Sequence, residues 1–281
     1  MIDLVVMYAA FTVDVDRDVN LPVRGRIEGI SRDPYGNGSP RFVSCARGLE
    51  LLIDLLEEIG VRGTFFLETR AALEISRSVD VRVLLKDHEI ASHGVDHEDL
   101  TGEKTGIPLS RDHLYSILER SYRELKEFTG REPLGFRAPY LQINEDVLES
   151  VKGAGFIYDS SFTVPLADEV KPWYLPNGLI EVPLITGHDD NGKKIYSYLW
   201  AMHEGRRSPD DYLKIMERMR SGLFVLATHS WHIVETFNKG RLGTEDIKSA
   251  VENVKSILEG AKDMGIEFIT IGNYLKRFLS G

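Results

Sequence analysis

The chain has 281 residues, 42% of them hydrophobic and 28% charged, a globular balance with room for one large core. A net charge of −10 argues against nucleic acid or an anionic membrane surface as the main partner, since both reward basic patches. Cys45 is the only cysteine, so no intrachain disulfide can form, and no apolar stretch approaches the ~20 residues that span a bilayer, so membrane insertion is not expected.

In chain order, Leu4–Val15 reads as a first strand, an apolar run leading into Phe11-Thr12-Val13-Asp14-Val15-Asp16. Alternation along a strand puts residues two apart on one side, so Asp14 and Asp16 share a side. Met1-Ile2-Asp3 lacks the basic region of a signal peptide, and cleavage after this run would destroy the aspartate pair, so the expected compartment is the cytoplasm. Residues 17–44 are rich in Gly, Pro and Arg, include Asp33-Pro34-Tyr35-Gly36-Asn37-Gly38, and are too long for a simple connector. Leu49–Ile59 has helical periodicity and is stopped by Gly60. Gly63–Leu67 is a short buried strand, and Glu89–Ser92 is another that delivers His93. Ser110 can cap a helix reaching Phe128, ended by Gly130 and Pro133. Leu134–Ala138 and Phe156–Tyr158 read as strands with the helix Glu145–Val151 between them. The stretch 163–210 reads as irregular, with Trp173, Tyr174, Tyr196, Tyr198 and Trp200. Leu223–Ala227 is an apolar strand ending at His229, Thr244–Met264 an amphipathic helix, and Phe268–Ile271 a last strand. Strands alternating with helices, without a repeat or a linker, predict one α/β domain over residues 1–281. The expected architecture is a distorted, incomplete parallel β/α barrel of about seven strands, with its chemistry at the strand C-terminal ends.

The most informative stretch is Ser92-His93-Gly94-Val95-Asp96-His97. On a turn of helix, positions i and i+4 share a face, so both imidazoles can reach one cation. With an upstream carboxylate they form a three-ligand set that leaves a coordination position open, as in catalytic zinc sites. Alone, this spacing more often marks a solvated or hydrogen-bonded pair, and paired Asp residues at a strand end are often turn formers. Three further segments shift the balance, each at the end of a short apolar run. They are Gly135-Phe136-Arg137-Ala138-Pro139-Tyr140, Tyr158-Asp159-Ser160-Ser161 and Leu226-Ala227-Thr228-His229-Ser230-Trp231.

Taken in order, TVDVD, SHGVDH, FRAPY, YDSS and LATHSW resemble the polysaccharide deacetylases, the NodB-homology group of carbohydrate esterases (family four type). SHGVDH and FRAPY are the most specific parts, and the likeness runs from the first strand to the last third of the chain. The spacing of Asp14 and Asp16 departs from the commonest pattern, in which the pair is adjacent. It points to intracellular and exopolysaccharide-cluster relatives and leaves the division of labour between the two open. The resemblance implies a (β/α)7 barrel and a metal-dependent hydrolase that removes N-acetyl groups from an N-acetylated sugar or polysaccharide. Asp16, His93 and His97 would hold the divalent metal, zinc first, with iron, cobalt and nickel also fitting such donors. Asp14 would be the general base, held by Arg137 through a charge-assisted bond, and the backbone N–H of Tyr140 would face the oxyanion. His229 would protonate the leaving amine, with His232 a weaker rival. Asp159 would either orient that histidine or act as a turn residue bonding the amide of Ser160 or Ser161. Tyr140 and Trp231 could stack on sugar rings, although a buried Trp is also a common core residue. His88, His113, His188 and His203 have no motif around them.

Two other functions stay open. One is opening of a cyclic amide or ureide, as in allantoinase-like and imidase-like members of the fold, which predicts a small closed pocket. The other is a sugar-binding barrel without turnover, against which Asp14, Asp16, His93, His97, Arg137 and His229 together speak. The expected partner is a carbohydrate or small amide substrate, not nucleic acid. Segments 17–44 and 163–210 are expected to wall the site, and a neighbouring subunit of a homo-oligomer could complete them.

Overall fold

The computed structural model describes residues 7–32 and 38–279, so positions 4–6 of the expected first strand and most of Asp33–Gly38 lie outside the described residues. Strand β1 (Met7–Val15) is buried along its whole length, as befits a parallel strand covered on both faces. Tyr8 and Ala10 join an inner cluster with Phe66, Ala91, Val225 and Ala227. Ala9, Phe11, Val13 and Val15 pack outward on helices. Period-two alternation therefore carries Thr12 and Asp14 into the barrel interior.

Around the barrel follow β2 (Thr64–Leu67), β3 (Glu89–Ser92), β4 (Gly135–Phe136), β5 (Tyr158–Asp159), β6 (Ile180–Glu181), β7 (Leu184–His188) and β8 (Ser221–His229). Hydrogen-bonded neighbours run parallel in the order β6-β5-β4-β3-β2-β1-β8-β7. Only Val182 and Pro183 separate β6 from β7. Residues 180–188 thus pair first with β5 and then with β8, one segment reaching both edges of a curled sheet. Counted once, it gives seven strand positions. Short antiparallel strands, Trp173–Tyr174 and Lys194–Tyr196, stand at the two ends of the sheet, which leaves the barrel distorted and incomplete.

Helices α1 (Val43–Ile59), α2 (Arg111–Thr129), α3 (Glu145–Ala154) and α4 (Thr244–Asp263) include the four expected from periodicity. Gly60, Gly130 and Gly155 end the first three in the left-handed conformation, which costs glycine little. Helix α1 begins well before Leu49. The Asp18 carboxylate accepts the N–H groups of Ser44 and Cys45 at 3.0 and 2.7 Å, a cap supplied from far along the chain. Two expectations are corrected. The last strand is Glu267–Phe268 beside β1, and Ile271 instead opens a helix to Leu279. The stretch 163–210 is not irregular, because it holds β6, β7 and four further strands of two or three residues, too brief to leave a period-two pattern. Among the described residues no helix is long and apolar enough to cross a membrane.

Candidate active site

Every barrel strand that bears a motif ends in it, so the polar residues gather at one rim. The same alternation that turns Asp14 inward does so for His93 after Ala91, for Arg137 after Gly135 and for His229 after Ala227. Gly135 is required for a separate reason. A Cβ there would lie 2.0 Å from the ring of Tyr158, which fills the interior beside it.

Arg137 is fully buried, and Nε, Nη1 and Nη2 of its guanidinium each have a partner. Nη1 donates to Asp14 Oδ1 at 2.8 Å and to Thr12 Oγ1 at 3.0 Å; Nε and Nη2 donate to the carbonyl and hydroxyl of Ser160, each at 3.0 Å. Its plane lies 4.1 Å over the Phe66 ring. It is therefore a buried clamp on Asp14, not a surface ion pair. Burial pushes the Asp14 carboxyl up, but Arg137, His93, His229 and the Tyr198 hydroxyl together outweigh it and hold Asp14 below the usual carboxylate range.

Asp16 has the opposite setting. Burial, then the charges of Asp14 and Glu68, push its carboxyl well above the usual range, with Arg17 only partly opposing them. Oδ2 accepts from the Asn20 amide and stands 3.1 Å from His97 Nε2, while Oδ1 is buried with no partner. His93 Nδ1 lies 2.8 Å from the Arg137 carbonyl, which can only accept, so Nδ1 carries the proton and Nε2 is left bare. Burial keeps both His93 and His97 neutral, the form in which imidazole binds a metal. Ligand atoms of Asp16, His93 and His97 all lie within 4.8 Å of one another, a buried group suited in size and chemistry to one cation. An electron-rich Asp16, an orphaned carboxylate oxygen and two neutral imidazoles fit a divalent ion.

The way these histidines meet differs from the expectation. Residues 93–97 form a bent loop, not a helical turn, with Gly94 (φ 82°) and His97 (φ 53°) both left-handed. The loop folds back far enough to bring the rings to 5.0 Å. Tyr140 is also left-handed (φ 59°), an uncommon state for a bulky residue and one found at functional turns. Its ring stands edge-on to His97 at 4.6 Å, and it lines the site cavity.

Two predicted roles are not supported by the geometry. Asp159 directs both carboxylate oxygens to Ser161, accepting its N–H at 3.0 Å and its hydroxyl at 2.8 Å, and Ser161 Oγ in turn accepts the Ala138 N–H. The turn-forming alternative holds: Asp159 braces the FRAPY turn rather than touching His229. Trp231 is fully buried, stacked on His232 at 4.3 Å and set among outer-core residues, so it offers no sugar platform. His232 itself is bonded to Glu204, His203 to Thr228, and His88 accepts the Gly63 N–H, which removes all three from the site.

The cavity above the cluster has a volume of about 540 Å³. Asn20, Leu21 and Pro22 wall it from the first long segment, and Tyr196, Tyr198 and Trp200 from the second, as expected of both; Trp173 and Tyr174 do not line it. The residue that the sequence reading missed is Tyr198. Its hydroxyl is 2.6 Å from Asp14 Oδ2 and 2.9 Å from His229 Nε2. The only signal was its place in the aromatic run 196–200.

The buried carboxylates, imidazoles and clamped arginine sit at the strand C-terminal ends, the face on which parallel β/α barrels carry their sites. Residues 44–158 match the family model for polysaccharide deacetylase. The matched region contains His93, His97, Arg137 and Tyr140; the fold adds Asp14, Asp16 and His229 from outside it. A peptidoglycan deacetylase-like protein of Gibberella zeae is 28% identical over 160 residues, 53% of this chain but only 41% of that protein. Among solved structures, a family 4 carbohydrate esterase from Streptomyces lividans in complex with acetate superimposes with a TM-score of 0.53 at 15% identity, covering 94% of this chain and 92% of its own. An allantoinase superimposes with a TM-score of 0.66 at 14% identity, covering 100% and 92%. At such identities both comparisons speak for the fold alone.

Proposed function

We propose that this protein is a metal-dependent hydrolase that removes N-acetyl groups from an N-acetylated sugar or glycan. The observation that carries the reading is the convergence of Asp16, His93 and His97 on one another, with His93, His97, Asp14 and His229 lining one cavity. A divalent ion held there, with zinc the first candidate, supplies polarisation of the amide carbonyl and a lowered pKa for attacking water. Asp14 accepts the proton of that water, and Arg137 keeps the carboxylate ionised and aimed. The backbone N–H of Tyr140 is assigned to the developing oxyanion by its place in FRAPY. His229 passes a proton to the leaving nitrogen. The volume, about 540 Å³, lies within the usual range for small-ligand sites. Leu21, Pro22, Tyr196 and Trp200 give it the apolar faces that sugar C–H groups pack on.

The test is to load the full chain with zinc and offer N-acetylated chitooligosaccharides and a cyclic ureide in parallel. Acetate release that chelation abolishes supports the reading. Ring opening without acetate, or acetate release indifferent to chelation, overturns it.

A further inference from the structure

With Asp159 bonded to Ser161, the orientation of His229 must come from elsewhere, and Tyr198 is the side chain in position to provide it. Its backbone is pinned beside β8, since Leu199 N–H donates to the Ala227 carbonyl at 2.7 Å and Ala227 N–H to the Ser197 carbonyl at 2.8 Å. Two residues further along β8 stands His229, with the Tyr198 and His229 rings 4.9 Å apart. The phenol therefore has little freedom to leave.

The chemistry of the contact fixes its direction. The Asp14 carboxylate can only accept, so the single Tyr198 hydroxyl proton goes to Oδ2 at 2.6 Å. The phenol oxygen is then an acceptor toward His229 Nε2 at 2.9 Å, which requires a proton on Nε2. His229 Nδ1 is buried and makes no hydrogen bond to the protein among the described residues. Asp14 is held at both oxygens, Oδ1 by Arg137 and Oδ2 by Tyr198.

We propose that Tyr198 is a positioning residue for the reaction, fixing the rotamer of Asp14 and the Nε2-protonated tautomer of His229 at once, in the place that the family resemblance gives to Asp159. This rests on the deacetylase reading for its effect on rate but not for its effect on the histidine.

Tyr198→Phe keeps the ring and removes only the hydroxyl. On the zinc-loaded chain we expect kcat for acetate release to fall about 10- to 100-fold, the weight of one hydrogen bond to a charged group, with KM and zinc content little changed. On metal-free, ¹⁵N-histidine-labelled protein, long-range ¹H–¹⁵N spectra report which ring nitrogen bears the proton, with His229 assigned by its loss in His229→Gln. Wild-type His229 should show a protonated Nε2 and a bare Nδ1, and Tyr198→Phe should lose that preference. A wild-type Nδ1–H form, or a Tyr198→Phe variant with unchanged tautomer and unchanged kcat, overturns the proposal. The wild-type spectrum decides even if the variant does not fold. A wild-type protein that releases no acetate yet shows the Nε2–H form sinks the proposed activity and leaves the tautomer assignment standing.

Discussion

Replacing Arg137 by methionine tests whether Asp14 depends on a buried counter-charge. Both side chains are out of water, Arg137 at 0% exposure and Asp14 at 2%. Methionine fills much of the same space but leaves the carboxylate without its counter-charge and strips the Ser160 carbonyl of the Arg137 Nε donor, while Thr12 Oγ1 and Ser160 Oγ keep their bonds to the Leu226 and Val182 carbonyls. Breaking one side of a buried pair costs about 3–5 kcal/mol. At roughly 2–4 °C per kcal/mol for a chain near this size, the melting temperature of metal-free protein should drop by roughly 6–20 °C. Adding Asp14→Asn removes the stranded charge, so the double variant should recover about 1.5–3 kcal/mol over Arg137→Met alone. The pH dependence has a definite sign. In the wild type the folded Asp14 titrates below its unfolded value of ~3.9, so it contributes stability above that pH and loses it as pH falls through the folded pKa. Without Arg137, burial dominates and the folded pKa rises above the unfolded one, so a penalty grows as pH increases. The stability gap between wild type and Arg137→Met should therefore widen from about pH 4 toward neutrality. Urea titrations of the four proteins of the cycle measure all of this. A single-variant loss under about 1 kcal/mol, or a double variant no more stable than Arg137→Met, refutes the reasoning.

Other expectations follow from the same rim. Asp14→Asn should retain zinc, measured by metal analysis, while turnover drops roughly 10²–10⁴-fold; Asp16→Asn should lose zinc affinity because a neutral donor replaces an anionic one. The opposite pattern would reverse the two roles. Gly135→Ala places a methyl within 2.0 Å of the Tyr158 ring and should destabilise by about 1–3 kcal/mol or more in thermal unfolding. A wild-type melting temperature there would mean that the ring can step aside. His88 is held neutral, its pKa pushed by burial and then by Arg62 and Arg131 down to about 4 against the partial opposition of Asp87. A histidine depressed on folding loses stability as pH falls from its unfolded value near 6.5 through its folded one. His88→Gln, which can still accept the Gly63 N–H, should flatten that limb of the stability curve.

What the chain reveals unaided is set by how local the physics is. β1 was legible because an apolar run of nine described residues, ending in carboxylates, leaves few other readings, and α2 because Ser110 and Gly130 are adjacent to its ends. Asp16, His93 and His97 were legible as a set, yet the reason for their meeting was not a helical face but two left-handed residues in a bent loop. No hydrophobic period encodes that. The orienting role offered for Asp159 and the stacking role offered for Trp231 lack support for a shared reason. Their motif neighbours point at the site, whereas their own partners, Ser161 and His232, are only one or two residues away and turn them elsewhere. Tyr198 escaped because its partner Asp14 is 184 positions distant, and only the barrel's curl brings them together.

The register of β1 on β8 sets Asp14 directly opposite His229, at the end of eight consecutive paired positions that begin with Met7 and Gly222. Both strands are almost wholly buried. The separation of these two side chains is therefore held by the main chain of the longest ladder among the described residues, not by loop conformation. The hairpin over 20–31 pairs with neither strand and can breathe without altering it. Amide protons of Phe11–Val13 and Leu226–Thr228 should exchange with deuterium only when the whole barrel opens, and those of the hairpin over 20–31 much sooner. Heat inactivation should then track global unfolding in a single transition, with no folded but inactive form preceding it.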